Sequence, residues 1–258
     1  MKYNTIQFII EEAGGIKMVQ PKDTGYVIVD TANIFYQIFG ENQRTVILLH
    51  GNGEDWRTFG KQIEPLSKHF KVITIDSRGH GASSFGREQL SIEIMAEDVI
   101  GVMNKLNISK AVLVGFSDGG NIAIQIAIRY PNRVDKLILA GANLNPTGIK
   151  LLAQFPVIIH YLVCVVASMF SKRAGKQRQI LDLMVNQPNF VLEELKMLNM
   201  PTLVLAGEND VIKEDHTKLI AKSIPNSKLE ILPNADHFIF SRDVSRVNIM
   251  VIAYIYED

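Results

Sequence analysis

Gly115-Phe116-Ser117-Asp118-Gly119 sets one hydroxyl nucleophile between two glycines. The apolar run Lys110-Ala-Val-Leu-Val114 precedes it, and a helix-like run, Asn121 to Tyr130, follows. At a strand-to-helix junction, Gly-x-Ser-x-Gly makes a turn so tight that its flanking positions exclude a Cβ. The serine is driven into strained geometry and its hydroxyl projects above the sheet edge. An ordinary glycine-rich turn has the same composition; the placement after a β-branched strand is what points to a nucleophile.

A serine hydroxyl attacks poorly at neutral pH unless a base takes its proton and an acid orients that base. On a doubly wound sheet that presents such a serine, acid and then histidine follow in chain order on later post-strand loops. Of the six histidines, His69, His160 and His216 fall in helix-like stretches, and His50 and His80 belong to glycine-rich loops. His237, just past Leu229-Glu-Ile-Leu232, sits where the base belongs. Asp210, in Gly207-Glu-Asn-Asp210 after the strand Leu203-Val-Leu205, is the matching acid. Asp236 adjoins the histidine too closely to align with its Nδ1, and Glu208 points elsewhere. After the preceding strand the chain offers only asparagine, in Ala142-Asn-Leu-Asn145. The tetrahedral intermediate needs two backbone N–H donors. One is expected from Asp118, and the other from His50-Gly-Asn-Gly53, with Asn52 ahead of Gly53 and His50 as a structural support.

The elements that must hold these groups alternate. Val27–Val29 and Ile34–Phe39 flank a turn at Asp30–Asn33 and read as a hairpin. Thr45–Leu49, Val72–Ile75, Val112–Val114, Leu137–Ala140, Thr202–Ala206 and Leu229–Leu232 are continuous apolar runs, the pattern of strands buried on both faces. Helical patterns cover Phe59–His69, Ile92–Leu106, Asn121–Tyr130, Glu214–Ser223 and Arg242–Tyr256. The alternation predicts an α/β architecture: a doubly wound, mostly parallel eight-stranded sheet with helices on both faces. About sixty residues separate the sixth strand from the seventh, against the usual short connection. This interval, 144–200, reads as an inserted helical lid, leaving 1–143 and 201–258 as the main domain.

The balance of 27 basic and 27 acidic residues gives no net charge and no global attraction to nucleic acid. One cysteine, Cys164, forbids an intramolecular disulfide and suits a reducing, cytoplasmic setting. The start, Met1 to Ile10, resembles a signal peptide, but its apolar run is short and Glu11-Glu12 follows at once. No His/Cys/Asp/Glu spacing suggests a metal, and no phosphate loop or other cofactor motif occurs, so neither metal nor cofactor is expected.

Together with Asp76-Ser-Arg-Gly-His-Gly-Ala-Ser83, these motifs resemble the α/β-hydrolase superfamily. The similarity is to its lidded carboxylesterase-like branch, which includes pimeloyl-carrier-protein methyl esterases, C–C bond hydrolases and proline iminopeptidase-like enzymes. It runs from about Thr45 to Ser241. The resemblance implies Ser117 as nucleophile, His237 as base, Asp210 as its orienter, and the Arg78-to-Gly81 segment as a structural loop in which Arg78 and His80 satisfy buried backbone groups. It implies a cofactor-free serine hydrolase cleaving an ester or thioester of an apolar small-molecule acyl substrate. C–C bond hydrolysis, a lyase step, or a ligand-binding protein that kept the fold are the alternatives. Serine at 117 argues against a dehalogenase, which needs aspartate there. Asp118, where many relatives carry Met, Gln or Leu, either repels anionic substrates, binds a substrate ammonium, or is a solvated helix-start residue favoured by the helix dipole.

Within the lid, Leu151 to Ser171 runs twenty-one residues without a formal charge. Pro156, Gln154 and His160 argue against a membrane span, so integral membrane association is not expected. Apolar residues on all faces predict a helix buried between the main domain and an acyl pocket, with Tyr161 and Val165 on the pocket wall. Cys164 reads as a buried small hydrophobe. Lys172, Arg173, Lys176 and Arg178 follow closely, and 142–201 carries six basic residues against three acidic. An acidic carrier protein is the partner such a segment would steer, a solvated helix face being the plainer reading.

Overall fold

The structure, a computed structural model, describes residues 19–257; the signal-like start, Met1 to Ile10, lies outside them. Its strands are β1 (Asp23–Val29), β2 (Ala32–Phe39), β3 (Thr45–Leu49), β4 (Lys71–Ile75), β5 (Ala111–Phe116), β6 (Val134–Ala140), β7 (Thr202–Asn209) and β8 (Ser227–Asp236). They form one sheet in the order β1-β2-β4-β3-β5-β6-β7-β8. The hairpin β1–β2 and the β2–β4 pair are antiparallel, and every later pair is parallel.

The helices are α1 (Gly60–Ser67), α2 (Ile92–Lys105), α3 (Asp118–Arg129), α4 (Leu151–Ala167), α5 (Lys172–Asn186), α6 (Leu192–Lys196), α7 (Glu214–Ser223), α8 (Ile239–Arg242) and α9 (Val244–Tyr256). They cover both faces of the sheet, which explains the continuous apolar runs. Along β3, Ile47 and Leu49 enter the core beneath α2 and α3, while Val46 and Leu48 enter the one beneath α1 and α9. Both sides are therefore apolar. The hairpin turn is shorter than the sequence suggested: Val29 pairs directly with Ala32, leaving Asp30 and Thr31 as the loop, with Asp30 at a φ of +50°. Ala32 and Ile34 are fully buried, so their packing extends the strand into the expected turn.

Between β6 and β7 lie α4, α5 and α6. Helix α4 runs unbroken through Pro156 and packs on α5, with the Gln154 amide donating to Met184 O at 2.9 Å. Its inner side buries Gln154 and Cys164. The opposite side is not covered: Leu152 is 92% exposed and Phe170, just past the helix, 86%. The expectation of a helix buried all round is corrected here, because only one side meets other described residues. No helix among the described residues is long and apolar enough to cross a membrane.

Parallel pairing fixes where the functional loops lie. Strands β3, β5, β7 and β8 run in one direction, so the loops after their carboxyl ends emerge at one edge of the sheet, where ligands bind in open α/β sheets.

Candidate active site

Ser117 follows β5 and precedes α3 with a φ of +53° and ψ of −120°, a conformation costly for a residue with a Cβ. Its N–H donates to Ala140 O on β6 at 2.8 Å, and its carbonyl accepts from Gly120 N at 2.8 Å. The two flanking glycines are sterically required. A Cβ at Gly115 would come 2.3 Å from Gly119 O, and one at Gly119 would come 2.0 Å from Leu49 O. The close approach of β3, β5 and α3 leaves no room for either, and it is this crowding that lifts the serine over the edge.

His237, after β8, and Asp210, after β7, meet above the adjoining strand ends. Their Nδ1 and Oδ1 atoms are 2.7 Å apart, and both residues are buried. Asp210 Oδ1 also accepts from Ile212 N at 2.9 Å, which fixes the carboxylate. Gly141, at a φ of +63°, closes under the imidazole: a Cβ there would lie 2.7 Å from His237 Cε1. The Phe116 ring packs against the imidazole in a tilted contact, with 4.8 Å between centroids. The other carboxylates weighed from the sequence are engaged elsewhere. Asp236 accepts from Phe238 N and pairs with Arg242, and Glu208 accepts from Asn234 N at 2.8 Å.

The loop after β3 is braced from below. His50 Nδ1 donates to Gly51 O at 2.8 Å, and its Nε2 accepts from Ser77 N at 2.9 Å. Burial pushes this imidazole's pKa down to about 4, so it is neutral at pH 7. Above it, Gly51 N–H is taken by Glu54 Oε2 at 3.2 Å. The N–H groups of Asn52 and Asp118 have no acceptor among the described residues.

Asp118 is neither solvated nor a simple helix-start residue. It is buried, its Oδ2 accepts from Asn52 Nδ2 at 2.9 Å, and its Oδ1 accepts from Asn121 Nδ2 at 3.2 Å. Burial raises its pKa more than these donors lower it. Asn52 Nδ2 also donates to Ile180 O at 2.9 Å, so one amide ties the β3 loop to the head of α3 and to α5. Asn121 continues the chain to Asn143 at 3.0 Å.

A cavity of about 230 Å³ opens over these groups. Ser117, His237, Asn52 and Asp118 line it, with an apolar wall of Phe116, Ile149, Met184, Ile212 and Phe238. Tyr161 and Val165 do not: the residues from the segment between β6 and β7 on the lining are Asn143, Ile149, Ala153, Met184 and Gln187. Tyr161 instead lies 3.5 Å from Asn186 on α5, and Val165 faces outward. Sequence reasoning passed over Glu54, whose carboxyl lines the cavity beside Gly51 and whose pKa is raised by burial. Its only sequence signal was its position immediately after His50-Gly-Asn-Gly53. The second omission is Asp98, which holds Arg78 through two bonds of 2.8 and 2.6 Å in the core. Arg78 thus pairs mainly with a carboxylate on α2, not with backbone alone, while His80 does meet Arg78 O at 3.0 Å.

Residues 44–162 match the family model described as alpha/beta hydrolase fold. The human serine hydrolase BPHL is 28% identical over 242 residues, covering 86% of this chain and 82% of the relative. The 2-hydroxy-6-oxononadienedioate/2-hydroxy-6-oxononatrienedioate hydrolase 1 of Pseudomonas putida is 26% identical, covering 86% and 92%. Among solved structures, the enol-lactonase of Burkholderia xenovorans superposes with a TM-score of 0.76 at 22% identity, over 90% of this chain and all of that one.

Proposed function

We propose that this chain, an α/β hydrolase by its fold and its relatives, is a cofactor-free serine hydrolase of carboxylic esters or thioesters with an apolar acyl side. In this reading Ser117 Oγ attacks the acyl carbon as His237 Nε2 takes its proton. Asp210 holds the His237 Nδ1–H and stabilises the imidazolium. The oxyanion is received by the N–H groups of Asn52 and Asp118. His237 returns the proton to the departing alcohol or thiol, and water then cleaves the acyl-enzyme by the same steps in reverse roles. The observation that carries this is the 2.7 Å Asp210–His237 contact opening onto the cavity that Ser117 also lines.

The cavity supports the substrate class. Its wall is mostly apolar, and each buried methylene of an acyl chain contributes about 0.8 kcal/mol. Among the described residues its ionisable lining groups other than His237 are carboxyls, Glu54 and Asp118, and no lysine or arginine lines it. Such a lining favours neutral acyl groups over anionic ones. C–C bond hydrolysis is the second reading, because the substrate in the Pseudomonas relative's name is a keto acid with no ester bond to cleave. Its named substrate is a dicarboxylate, for which this lining supplies no cation.

A series of p-nitrophenyl esters and matching thioesters, from acetyl to medium-chain acyl, tests the proposal. The expected result is a kcat/KM that climbs with chain length until the cavity is full, and at least a tenfold preference for a neutral butyryl ester over a succinyl half-ester. Absence of esterase and thioesterase turnover, together with no labelling of Ser117 by a fluorophosphonate, would exclude it. The balanced charge and single cysteine support a cytoplasmic setting as part of this proposal.

A further inference from the structure

Helix α4 carries its largest apolar side chains on the side away from the cavity. Leu152, Phe155, Ile159, Leu162, Val163 and Val166 recur in steps of three and four, so they form one stripe. All six are exposed, and Phe170 extends the stripe past the helix end. Within the helix, from Leu152 to Val166, it runs about 21 Å at 1.5 Å per residue. Ile159, Leu162, Val163, Val166 and Ala167 also line a shallow hollow with few polar atoms. Single exposed apolar residues are ordinary, but a continuous stripe of this length marks a binding surface.

The charges around the stripe say what binds. No Asp or Glu occurs between Asp135 and Asp182. Lys150 stands at one end of the stripe, and Lys172 and Arg173 stand at the other; all three are exposed. None of them joins an ion pair among the described residues. A second copy stacked stripe to stripe would bring these cations against their counterparts in either orientation. That repulsion disfavours self-association. A surface that offers both an apolar layer and negative charge satisfies the whole pattern.

We infer that the lid docks on an anionic lipid surface, with α4 lying in the interface plane. The apolar stripe would enter the headgroup–acyl boundary, and Lys150, Lys172 and Arg173 would meet the lipid phosphates. The helix is too short to span the bilayer, so the association is peripheral. This surface is independent of the proposed reaction, and its test reads binding alone.

The test is sedimentation of the full chain with vesicles of phosphatidylcholine, and of phosphatidylcholine mixed with phosphatidylglycerol. Two double variants are compared, Leu152→Asp with Val163→Asp, and Lys172→Glu with Arg173→Glu, each checked by circular dichroism and thermal melting. Should aspartate disturb the helix, glutamine at the same two positions reads the same loss. Wild type should partition onto the phosphatidylglycerol vesicles, at least about tenfold more than either variant and more than onto phosphatidylcholine alone. Three results overturn the inference: no binding to the anionic vesicles; stripe variants that bind like wild type, as a purely electrostatic acidic-protein site would; or light scattering that shows a dimer which the stripe variants dissolve.

Discussion

Lowering the pH should weaken the fold through His50, and the structure sets the size of the effect. Its neutral imidazole donates to Gly51 O and accepts from Ser77 N, so a second proton would oppose two donors across the Ser77 contact. Burial holds its native pKa at about 4, against 6.5 when exposed. A depressed pKa contributes stability that is complete above 6.5 and is lost as pH falls toward 4, since the unfolded chain binds the proton first. Between pH 7 and pH 4.5 the linkage amounts to about 2 kcal/mol. The buried His80, its pKa also lowered, acts in the same direction. Buried carboxyls oppose it: the pKa values of Glu54, Asp76, Asp98 and Asp118 are raised by burial, which favours the folded state in acid. The difference between wild type and His50→Gln removes these shared contributions, because glutamine keeps an amide donor and acceptor without a titrating site. Urea unfolding followed by the fluorescence of Trp56 gives both stabilities at both pH values. Wild type should lose about 2 kcal/mol more than the variant on going to pH 4.5. Equal losses would refute the argument that this histidine is buried in its neutral form.

Ser117→Ala should abolish turnover and fluorophosphonate labelling with little change in melting temperature; retained activity would remove the serine from the mechanism. Asp210→Asn should cut kcat by about 10³–10⁴-fold, because the amide no longer fixes the imidazole tautomer, whereas Asp236→Asn, which loses an outer pair with Arg242, should leave kcat within a few-fold; the reverse order would reassign the acid. Asp118→Asn should lower kcat/KM for α-amino esters and neutral esters by the same factor, since both carboxylate oxygens are committed to Asn52 and Asn121; a selective loss for the amino esters would instead identify an ammonium site. Gly119→Ala should cost about 2–3 kcal/mol of stability or more, read as a fall in the urea midpoint, because its Cβ meets Leu49 O; an unchanged midpoint would mean the elbow is looser than its geometry implies.

Local chemistry and periodicity made much of this protein legible from its residues alone. The two glycines around Ser117 encode a tight turn because they lack a Cβ, and the apolar runs encode strands covered on both faces. Chain order then points to Asp210 and His237, since parallel strands with crossover helices put successive loops on one edge. Contacts made across that edge have no such local signature. The role of Asp118 depends on an amide sixty-six residues away, which pulls its carboxylate into a buried bridge to Asn52. The partner of Arg78 is a carboxylate on α2, and nothing around Asp98 distinguishes it from a solvent-facing acid until that helix packs. The segment between β6 and β7 shows the limit most clearly. Its composition reads as apolar on every face, but which faces meet protein and which meet solvent is settled only by how α4 lies on α5. That packing turns Ala153 to the cavity and leaves Tyr161 and Val165 off its wall, because the direction of a side chain on a helix is fixed by the orientation of the helix and not by its own identity.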